Sequence, residues 1–211
     1  MSQTSRKSQH LPHSLTKPLL IVLSGPSGAG KDAVLTRLRE TGHPLEYVTT
    51  VTTRPQRANE RDGVDYHFVS TEMFRKMMEN KQLLEWANVY GNMYGVPGQP
   101  VKQALDRGKD VMVKVDIQGA ATIKKILPQA VFIFLMPPST EDLSQRLEQR
   151  NTESPFNLTL RLKTAEGEIK QLPMFDYVVV NEQGKINSAV SHIKAIVTAE
   201  KCRVTPREIA L

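Results

Sequence analysis

The chain has 211 residues, of which 39% are hydrophobic and 24% are charged, and its formal net charge is +6. This composition predicts one ordinary globular domain with enough apolar residues for a core. The single cysteine excludes an internal disulfide and suits a reducing compartment. No apolar run reaches the roughly 18 residues that a membrane-spanning helix needs. The positive charge is compatible with nucleic acid, but equally with substrates that carry several phosphates.

Residues 1–17 are polar, basic and free of acidic side chains, and they precede the first strand-like run. They lack the continuous apolar segment of a secretory signal, so we interpret them as a mobile tail, with a transit peptide as the alternative. An RNA-binding role for the tail is a weaker alternative, because no motif of basic and aromatic residues supports it. We expect a cytoplasmic protein with no membrane and no nucleic acid partner.

Short apolar runs rich in β-branched residues lie at residues 19–24, 110–116, 130–136 and 176–181. Such runs are typical of strands that are buried on both faces of a parallel sheet. Stretches with helical patterning separate them, at residues 31–40, 118–127, 139–150 and 184–202. Alternating strands and helices predict a doubly wound α/β sheet, with ligands at the carboxyl ends of its strands.

Two segments break this alternation. Residues 48–97 contain short strand-like pieces, a helix at 71–80 and a predicted tight turn at Gly91-Asn92, so we expect an inserted, mostly β lobe. Residues 139–168 are charged and carry spaced arginines, and we interpret them as a mobile helical flap.

The segment 23–34, LSGPSGAGKDAV, follows a strand and begins a helix, which is the setting of a phosphate-binding loop. Its glycines let the chain turn tightly and direct successive N–H groups inward. Lys31 supplies a positive charge for the terminal phosphates, and the N-terminus of the helix adds a partial one. A glycine-rich turn without a ligand is the alternative.

Residues 49–69, TTVTTRPQRANERDGVDYHFV, place Arg54 and Arg57 on either side of a turn stiffened by proline. Arginine forks match phosphate oxygens two at a time. Tyrosine hydroxyls such as that of Tyr66 can hydrogen-bond a phosphate, and a carboxylate such as Glu85 can accept from the N–H edge of a guanine. Without further context, scattered Tyr and Glu residues are more often packing and surface residues.

With these segments, the motifs EWANVYGNMYG, VDIQGA, PPSTEDLSQRLEQR and DYVVVN make the chain resemble guanylate kinases from residue 19 to about residue 201. The resemblance implies one domain over residues 18–211. It has a parallel-sheet P-loop kinase core, an inserted GMP-binding lobe and a helical lid. We assign the core to residues 18–48, 98–138 and 169–211, the lobe to 49–97 and the lid to 139–168.

The resemblance also implies an activity, which is transfer of the γ-phosphoryl group of ATP onto GMP, and onto dGMP, to give ADP and GDP with Mg²⁺ as the cofactor. ATP would be bound by Gly25, Pro26, Ser27, Gly28, Ala29, Gly30, Lys31, Asp32 and Asn181. Asn181 has the alternative role of capping a turn. The sequence leaves a monomer and a homodimer equally open.

Carried over by position, the family pattern implies that the GMP phosphate is bound by Arg54, Arg57, Tyr66 and Tyr94. The guanine ring would be read by Thr50, Glu85 and Asp116. Such acceptors suit the N–H donors of guanine, which adenine does not present in that arrangement.

The resemblance further implies that two lid arginines, Arg150 and Arg161, clamp the phosphoryl group in transfer. A solvated helix face is the alternative for both. Because such a transfer asks for little covalent chemistry, positioning and charge neutralisation would carry it. The catalytic residues would be Lys31, Arg54, Arg150 and Arg161.

Four positions depart from the family pattern. Asp32 replaces the usual hydroxyl residue after the P-loop lysine, and Lys114 stands where an acid is common. Val96 replaces a small hydroxyl residue, and Asn151 replaces a lid glycine. A carboxylate suits Mg²⁺, so Asp32 is a candidate metal ligand, directly or through water. We hypothesise that Lys114 offsets the charge of Asp32, with independent drift as the alternative.

Two other functions stay open at this point. The first is a related P-loop kinase for another phosphorylated acceptor, of the ribose 1,5-bisphosphate phosphokinase type, and the base-reading residues Glu85 and Asp116 count against it. The second is a catalytically impaired, guanylate-kinase-like binding domain, and the intact Lys31 loop counts against it.

Overall fold

A computed structural model describes residues 16–148 and 155–211. Within these ranges the strands are β1 Leu20–Ser24, β2 Leu45–Val48, β3 Val51–Thr52, β4 His67–Phe68, β5 Leu83–Val89, β6 Asn92–Pro97, β7 Asp110–Lys114, β8 Val131–Met136 and β9 Tyr177–Val180. The α-helices are α1 Lys31–Glu40, α2 Thr71–Glu79, α3 Gly98–Asp106, α4 Ile117–Ile126, α5 Thr140–Glu148, α6 Pro155–Ile169 and α7 Ile186–Lys201. A short 3₁₀ helix, Leu172–Met174, precedes β9.

A parallel sheet with strand order β2-β7-β1-β8-β9 forms the core. The four apolar runs of the sequence are strands β7, β1, β8 and β9 of this sheet, so the prediction of a parallel α/β core is confirmed. Strand β2 was not predicted. It is short, it lies at the edge of the sheet and most of its residues are partly exposed, so its sequence carries a weak apolar signal.

Helices cover both faces of this sheet, and β1 contributes to both because alternate side chains of a strand point in opposite directions. On one face, Ile21 packs in a cluster with Val34 of α1 and with α7. On the other face, Val22 packs in a cluster with Val101 of α3 and Ile123 of α4. The loops that follow the parallel strands meet at the carboxyl edge of the sheet, which is where a ligand site forms in such folds.

A second sheet, with strand order β4-β3-β6-β5, lies in the chain between β2 and α3. Strand β6 pairs antiparallel with both β3 and β5. Helix α2 packs on this sheet through Phe74, which is fully buried beside Gly95 of β6. The inserted, mostly β lobe that the sequence predicted is therefore present, and its predicted helix at 71–80 is α2.

The β5–β6 hairpin turns at Tyr90-Gly91, so the predicted turn at Gly91-Asn92 was wrong by one residue. Both turn residues have positive φ, 49° and 80°, which is the backbone of a two-residue type I′ turn. The side chain of Asn88 accepts a hydrogen bond from the Gly91 N–H at 3.0 Å, and Val89 pairs with Asn92. This strand register places a tyrosine at a position where positive φ is uncommon for residues other than glycine.

Helices α5 and α6 follow β8 and pack on each other through Leu143, Leu147 and Ala165. The predicted site residue Arg150 and the departure at Asn151 lie outside the described residues. Helix α3 was not predicted, because glycine and proline near its start are typical of a loop. No helix in residues 16–148 and 155–211 is long and apolar enough to cross a membrane.

A charged cluster around Glu200 of α7 ties the C-terminal residues to the core. Arg207 donates hydrogen bonds to both carboxylate oxygens, at 2.8 and 2.9 Å, and the Tyr177 hydroxyl of β9 donates another at 2.6 Å. The hydrogen bonds from Arg207 hold the pKa of Glu200 below its ordinary value, although burial opposes them. The cluster therefore stabilises the fold through a charged carboxylate.

Replacing Glu200 with Gln should lower the free energy of unfolding by about 1.5–3 kcal/mol at pH 7, because the charged partner of Arg207 is lost. The lowered pKa means that this contribution is present above the ordinary pKa of a glutamate and is lost as the pH falls through the folded-state pKa. Urea unfolding of both proteins at pH 7 and at about pH 3 measures the difference, which should shrink at the lower pH.

The matched control for this experiment is Glu208→Gln. Glu208 pairs with Lys17, but its side chain is 70% exposed, so the change should stay within about 0.5 kcal/mol. Equal losses of stability in the two variants would contradict a stabilising role for the cluster.

Candidate active site

The loop between β1 and α1 is held tightly against the carboxyl edge of the sheet. Gly25 has φ +146°, and a Cβ at this position would collide with the backbone oxygen of Leu135 in β8. Gly30, with φ +92°, would place a Cβ against the side-chain amide of Asn181. Glycine is needed at both positions, because other residues rarely adopt these φ values and have no room there. The loop can therefore approach a ligand with its backbone, as a phosphate cradle requires.

Lys31, the first residue of α1, folds its side chain back over this loop. Its ammonium donates to the backbone oxygens of Gly25 at 2.5 Å and Pro26 at 3.1 Å. Burial lowers the pKa of Lys31, while the negative charges of Glu168 and Asp32 oppose that shift. The ammonium thus lies over the predicted phosphate cradle, where an anionic ligand can replace the loop carbonyls as its partner.

Arg54 follows β3 and is oriented by an acid that the sequence analysis did not single out. It donates to Glu60 at 2.7 Å and to the Tyr94 hydroxyl at 3.2 Å, and its side chain is 12% exposed. Burial would lower the pKa of Arg54, but the hydrogen bond with Glu60 raises it overall. Glu60 also accepts from the backbone N–H of Arg57 at 2.9 Å. One carboxylate therefore fixes the turn that carries both predicted phosphate arginines.

The two tyrosines that were predicted to bind the GMP phosphate lie next to Arg54. Their rings meet edge to face, with centroids 5.9 Å apart, and the Arg54 guanidinium lies 5.3 Å from the Tyr66 centroid. This packing gathers two hydroxyls and a guanidinium on one side of the cleft. Val96, by contrast, is fully buried in the hydrophobic cluster below the lobe, so it does not face the cleft.

Glu85 of β5 is a carboxylate buried at the inner end of the cleft, with 4% of the residue exposed. Its Oε2 atom has no hydrogen-bond partner among the described residues, and a Cβ at Gly119 would come within 2.5 Å of that atom. Burial, and then the negative charge of Asp116, raise the pKa of Glu85 to about 8. An oxygen buried without a partner among the described residues is the arrangement expected when a ligand supplies the partner. N–H donors from a ligand would favour the ionised, accepting form of this carboxyl group.

Asp116 and Thr50 complete this end of the cleft. Asp116 caps α4 by accepting from the Gly119 N–H at 2.9 Å. Burial raises the pKa of its carboxyl group, against the hydrogen bonds of the helix N–H groups. The Thr50 hydroxyl donates to the Lys114 backbone oxygen at 3.0 Å, so toward a ligand its oxygen can serve as an acceptor.

Asp32 and Lys114, two of the departures from the family pattern, form an ion pair. Lys114 ends β7 and is 8% exposed, whereas the side chain of Asp32 in the first turn of α1 is 49% exposed. The Lys114 ammonium also lies 3.7 Å from the centroid of the Tyr66 ring. Direct contact agrees with the hypothesis that Lys114 offsets the charge of Asp32, and coupling of the two residues in turnover stays a hypothesis.

Two side chains brace the loop from behind. The side-chain amide of Asn181 donates to the backbone oxygen of Ala29 at 2.9 Å. Arg146 of α5 donates to the backbone oxygen of Asn181 at 2.7 Å. Both line a shallow pocket on the outer side of the loop, together with Gly28 and Gly30. Asn181 therefore has a structural role here, and a contact with adenine stays a prediction. Arg146 was not predicted, since nothing in the sequence distinguishes it from other charged residues of its segment.

Helix α6 contributes Arg161 and Glu168 to the cleft. The Arg161 guanidinium lies 5.2 Å from the centroid of Tyr90, the turn residue of the β5–β6 hairpin. Burial raises the pKa of Glu168, against the positive charge of Lys31. Glu168 was missed from the sequence, because a glutamate on a charged helix has no distinguishing pattern.

One cleft between the two sheets and α6 brings most of the predicted residues together. Those that line it are Gly25, Ser27, Gly28, Gly30, Lys31, Asp32, Thr50, Arg54, Arg57, Tyr66, Glu85, Tyr94, Asp116 and Arg161. Pro26 and Ala29 belong to the same loop but do not line the cleft, and Asn181 lines the neighbouring pocket. The binding roles of these residues remain predictions.

Comparison with known proteins gives one consistent result. The family model described as guanylate kinase matches residues 17–200. The chain is 48% identical over 186 residues to a guanylate kinase of Desulfitobacterium hafniense, which covers 88% of this chain and 92% of the relative. It is 46% identical over 194 residues to the chloroplastic/mitochondrial guanylate kinase 2 of Oryza sativa subsp. japonica, with coverages of 92% and 68%.

A solved structure agrees with these relatives. The crystal structure of guanylate kinase from Anaplasma phagocytophilum matches with a TM-score of 0.74 and 33% identity, over 90% of this chain and 89% of that one. The chain belongs to the guanylate kinase family. This guanylate kinase is accordingly an enzyme that transfers a phosphoryl group between nucleotides, and the two other functions left open by the sequence are not favoured.

The raised pKa of Glu85 gives a prediction about the nucleotide-free guanylate kinase. A carboxyl whose pKa is about 8 in the folded protein stabilises the fold below its unfolded pKa, and this contribution is lost as the pH rises toward 8. Glu85→Gln removes the titration, so between pH 5 and pH 9 the variant should gain about 4 kcal/mol of stability relative to the unmodified protein. Denaturant unfolding at the two pH values measures this gain.

The matched control is Glu72→Gln. The Glu72 side chain is 79% exposed, so this change should not alter the pH dependence of the free energy of unfolding. Parallel stability curves for the Glu85 variant and the unmodified protein would mean that Glu85 is ionised at neutral pH in the folded state.

Proposed function

We propose that this guanylate kinase transfers the γ-phosphoryl group of ATP to GMP, and to dGMP, giving ADP and GDP. The observation that carries the acceptor assignment is the buried Oε2 of Glu85, which has no hydrogen-bond partner in the described part of the chain. Glu85 and Asp116 line the same cleft as Lys31. Guanine can supply N–H donors to both carboxylates. Adenine lacks that pair of donors, so AMP would leave the buried acceptors unpaired.

The phosphate of GMP would bind in the same cleft, away from the guanine subsite at Glu85 and Asp116. Arg54, Tyr66 and Tyr94 are already in mutual contact there, and Glu60 holds the Arg54 guanidinium in place. A preorganised guanidinium loses little freedom when it binds phosphate oxygens. We assign the GMP phosphate to these three residues together with Arg57.

The donor triphosphate would bind on the loop from Gly25 to Lys31. The tight glycine backbone and the buried ammonium of Lys31 support this assignment. Arg161 lines the same cleft from α6, so it can reach a phosphoryl group that lies between the two nucleotides, and Arg150 belongs to the same lid. These cations would stabilise the charge that develops on the phosphoryl oxygens, and positioning would supply the rest of the catalysis.

Mg²⁺ is the cofactor that we propose for this transfer. No group of three or more His, Cys, Asp or Glu side chains in the described residues could hold a metal ion. Mg²⁺ keeps several waters and is usually bound through one or two carboxylates and the substrate phosphates. Asp32 offers one half-exposed carboxylate beside the phosphate loop, directly or through water. Bound Mg²⁺ would neutralise charge on the β- and γ-phosphate oxygens.

We also propose the division into a core, a lobe at 49–97 and a lid at 139–168, and a cytoplasmic location as a monomer or homodimer. The separate sheet of the lobe supports the first division. The single cysteine agrees with a reducing compartment.

The acceptor assignment predicts a ranking of substrates. In a coupled assay of ADP release with ATP and Mg²⁺, GMP and dGMP should be turned over, and kcat/KM for AMP should be at least about 100-fold lower. CMP, UMP and ribose 1,5-bisphosphate complete the panel. Equal rates with all nucleotides would contradict the roles of Glu85 and Asp116. Turnover of ribose 1,5-bisphosphate alone would favour the other kinase, and GMP binding without turnover would favour the binding domain.

The donor assignment predicts that Lys31→Met abolishes turnover, with kcat lower by about 1,000-fold or more, while the binding of GMP persists. Steady-state kinetics and GMP titration measure the two effects. Lys76→Met is the matched control, because Lys76 is 60% exposed and pairs with Glu72 on the lobe. Full activity of the Lys31 variant would mean that ATP does not bind on this loop.

A further inference from the structure

We infer that Lys114 binds the phosphate of GMP directly, as a fifth acceptor-phosphate residue beside Arg54, Arg57, Tyr66 and Tyr94. The inference rests on the proposed function and deepens its acceptor site. It starts from an observation that the mechanism above does not use, which is a buried ammonium where the donor loop and the acceptor lobe meet.

The position of Lys114 is fixed by the core sheet. It is the last residue of β7 and pairs with Leu23 of β1, immediately before the phosphate loop begins. Its side chain lines the same cleft as Lys31 and Tyr66. The backbone therefore places the ammonium at the carboxyl edge of the sheet, and a lysine there can change its ligand without any change in the fold.

The contacts of the ammonium span both halves of the site. On the donor side it forms an ion pair with Asp32 of α1. On the acceptor side it lies 3.7 Å from the centroid of the Tyr66 ring, and the Arg54 guanidinium lies 5.3 Å from the same centroid. Two cations therefore flank one tyrosine whose hydroxyl is assigned to the GMP phosphate. A phosphate that reaches Tyr66 and Arg54 comes within the range of Lys114 as well.

The ammonium is charged and has spare hydrogen-bonding capacity. Burial would lower its pKa, but the carboxylate of Asp32 and the Tyr66 side chain raise it overall. An ammonium has three N–H donors; Lys114 donates one to the half-exposed Asp32 carboxylate and another to the Tyr66 hydroxyl. One N–H donor is therefore left for a phosphate oxygen. The attraction between the ammonium and a phosphate would be stronger in this enclosed site than in water.

The competing explanation is that Lys114 only compensates the charge of Asp32. In that case loss of Lys114 weakens GMP binding because Asp32 then repels the phosphate, and removing the Asp32 charge as well restores the binding. Under direct binding, by contrast, the double variant remains weak, because the phosphate still lacks its partner. The two explanations therefore differ in the double variant.

The experiment is a calorimetric titration with GMP and with guanosine, in EDTA and without ATP, so that neither metal nor donor contributes. The proteins are the unmodified chain, Lys114→Met, Asp32→Asn and the double variant Asp32→Asn/Lys114→Met. Lys114→Met should weaken GMP binding about tenfold or more, with no change for guanosine, which has no phosphate. The double variant should stay about as weak as the single lysine variant, and Lys114→Arg should restore most of the affinity.

Two results would overturn the inference. Recovery of GMP affinity in the double variant would mean that Lys114 only compensates the charge of Asp32 and does not bind the phosphate. An equal loss for GMP and guanosine in Lys114→Met would mean that the substitution disturbs the lobe as a whole. A titration of the unmodified protein with AMP tests the proposed function separately, because AMP binding as tight as GMP binding would contradict that function and not the role of Lys114.

Discussion

The site depends on one constraint, which is that the cations assigned to phosphates are already buried in the ligand-free protein. Burying an unpaired charge is strongly unfavourable, and in this structure each such cation faces an acid. Arg54 is paired with Glu60, Lys114 with Asp32, and Lys31 lies under the influence of Glu168. These acids hold the cations in position, so little reorganisation is needed when an anionic ligand binds. They also compete with that ligand, and the binding of a nucleotide becomes an exchange of partners.

The fold was predictable where the sequence carries a strong local signal. Strands buried on both faces leave continuous apolar runs, and the central strands β1, β7 and β8 were found in that way. The edge strand β9 was found from its valine run, although Val178 and Val180 are exposed. The edge strand β2 alternates partly buried and exposed residues and gave no such run. The hairpin turn was misplaced because its position is set by the pairing of β5 with β6 and by the Asn88 side chain. Neither of these can be read from local turn preferences.

The site was predictable where a motif fixes the backbone, and unpredictable where a surface-like residue turns inward. The glycine loop and the acids Glu85 and Asp116, which line one cleft with it, were identified through motifs and a family resemblance. Glu60, Arg146 and Glu168 were not, since each lies in a charged stretch and acquires its role only through tertiary contact. The contact of Asp32 with Lys114 is an intermediate case. Both departures were noticed in the sequence, and their proximity was only a hypothesis until the structure placed them in contact.

The specificity that we propose for the end of the cleft at Glu85 and Asp116 would depend on burial. Glu85 cannot move away from the site, because α4 approaches so closely at Gly119 that a methyl group would not fit. Its Oε2 atom has no partner among the described residues. In the proposed complex, a base with matching N–H donors would pair with Glu85 and Asp116, whereas a base without that pair of donors would leave at least one of these buried groups unpaired. Discrimination would thus arise mainly from the unpaired groups that a wrong base leaves behind.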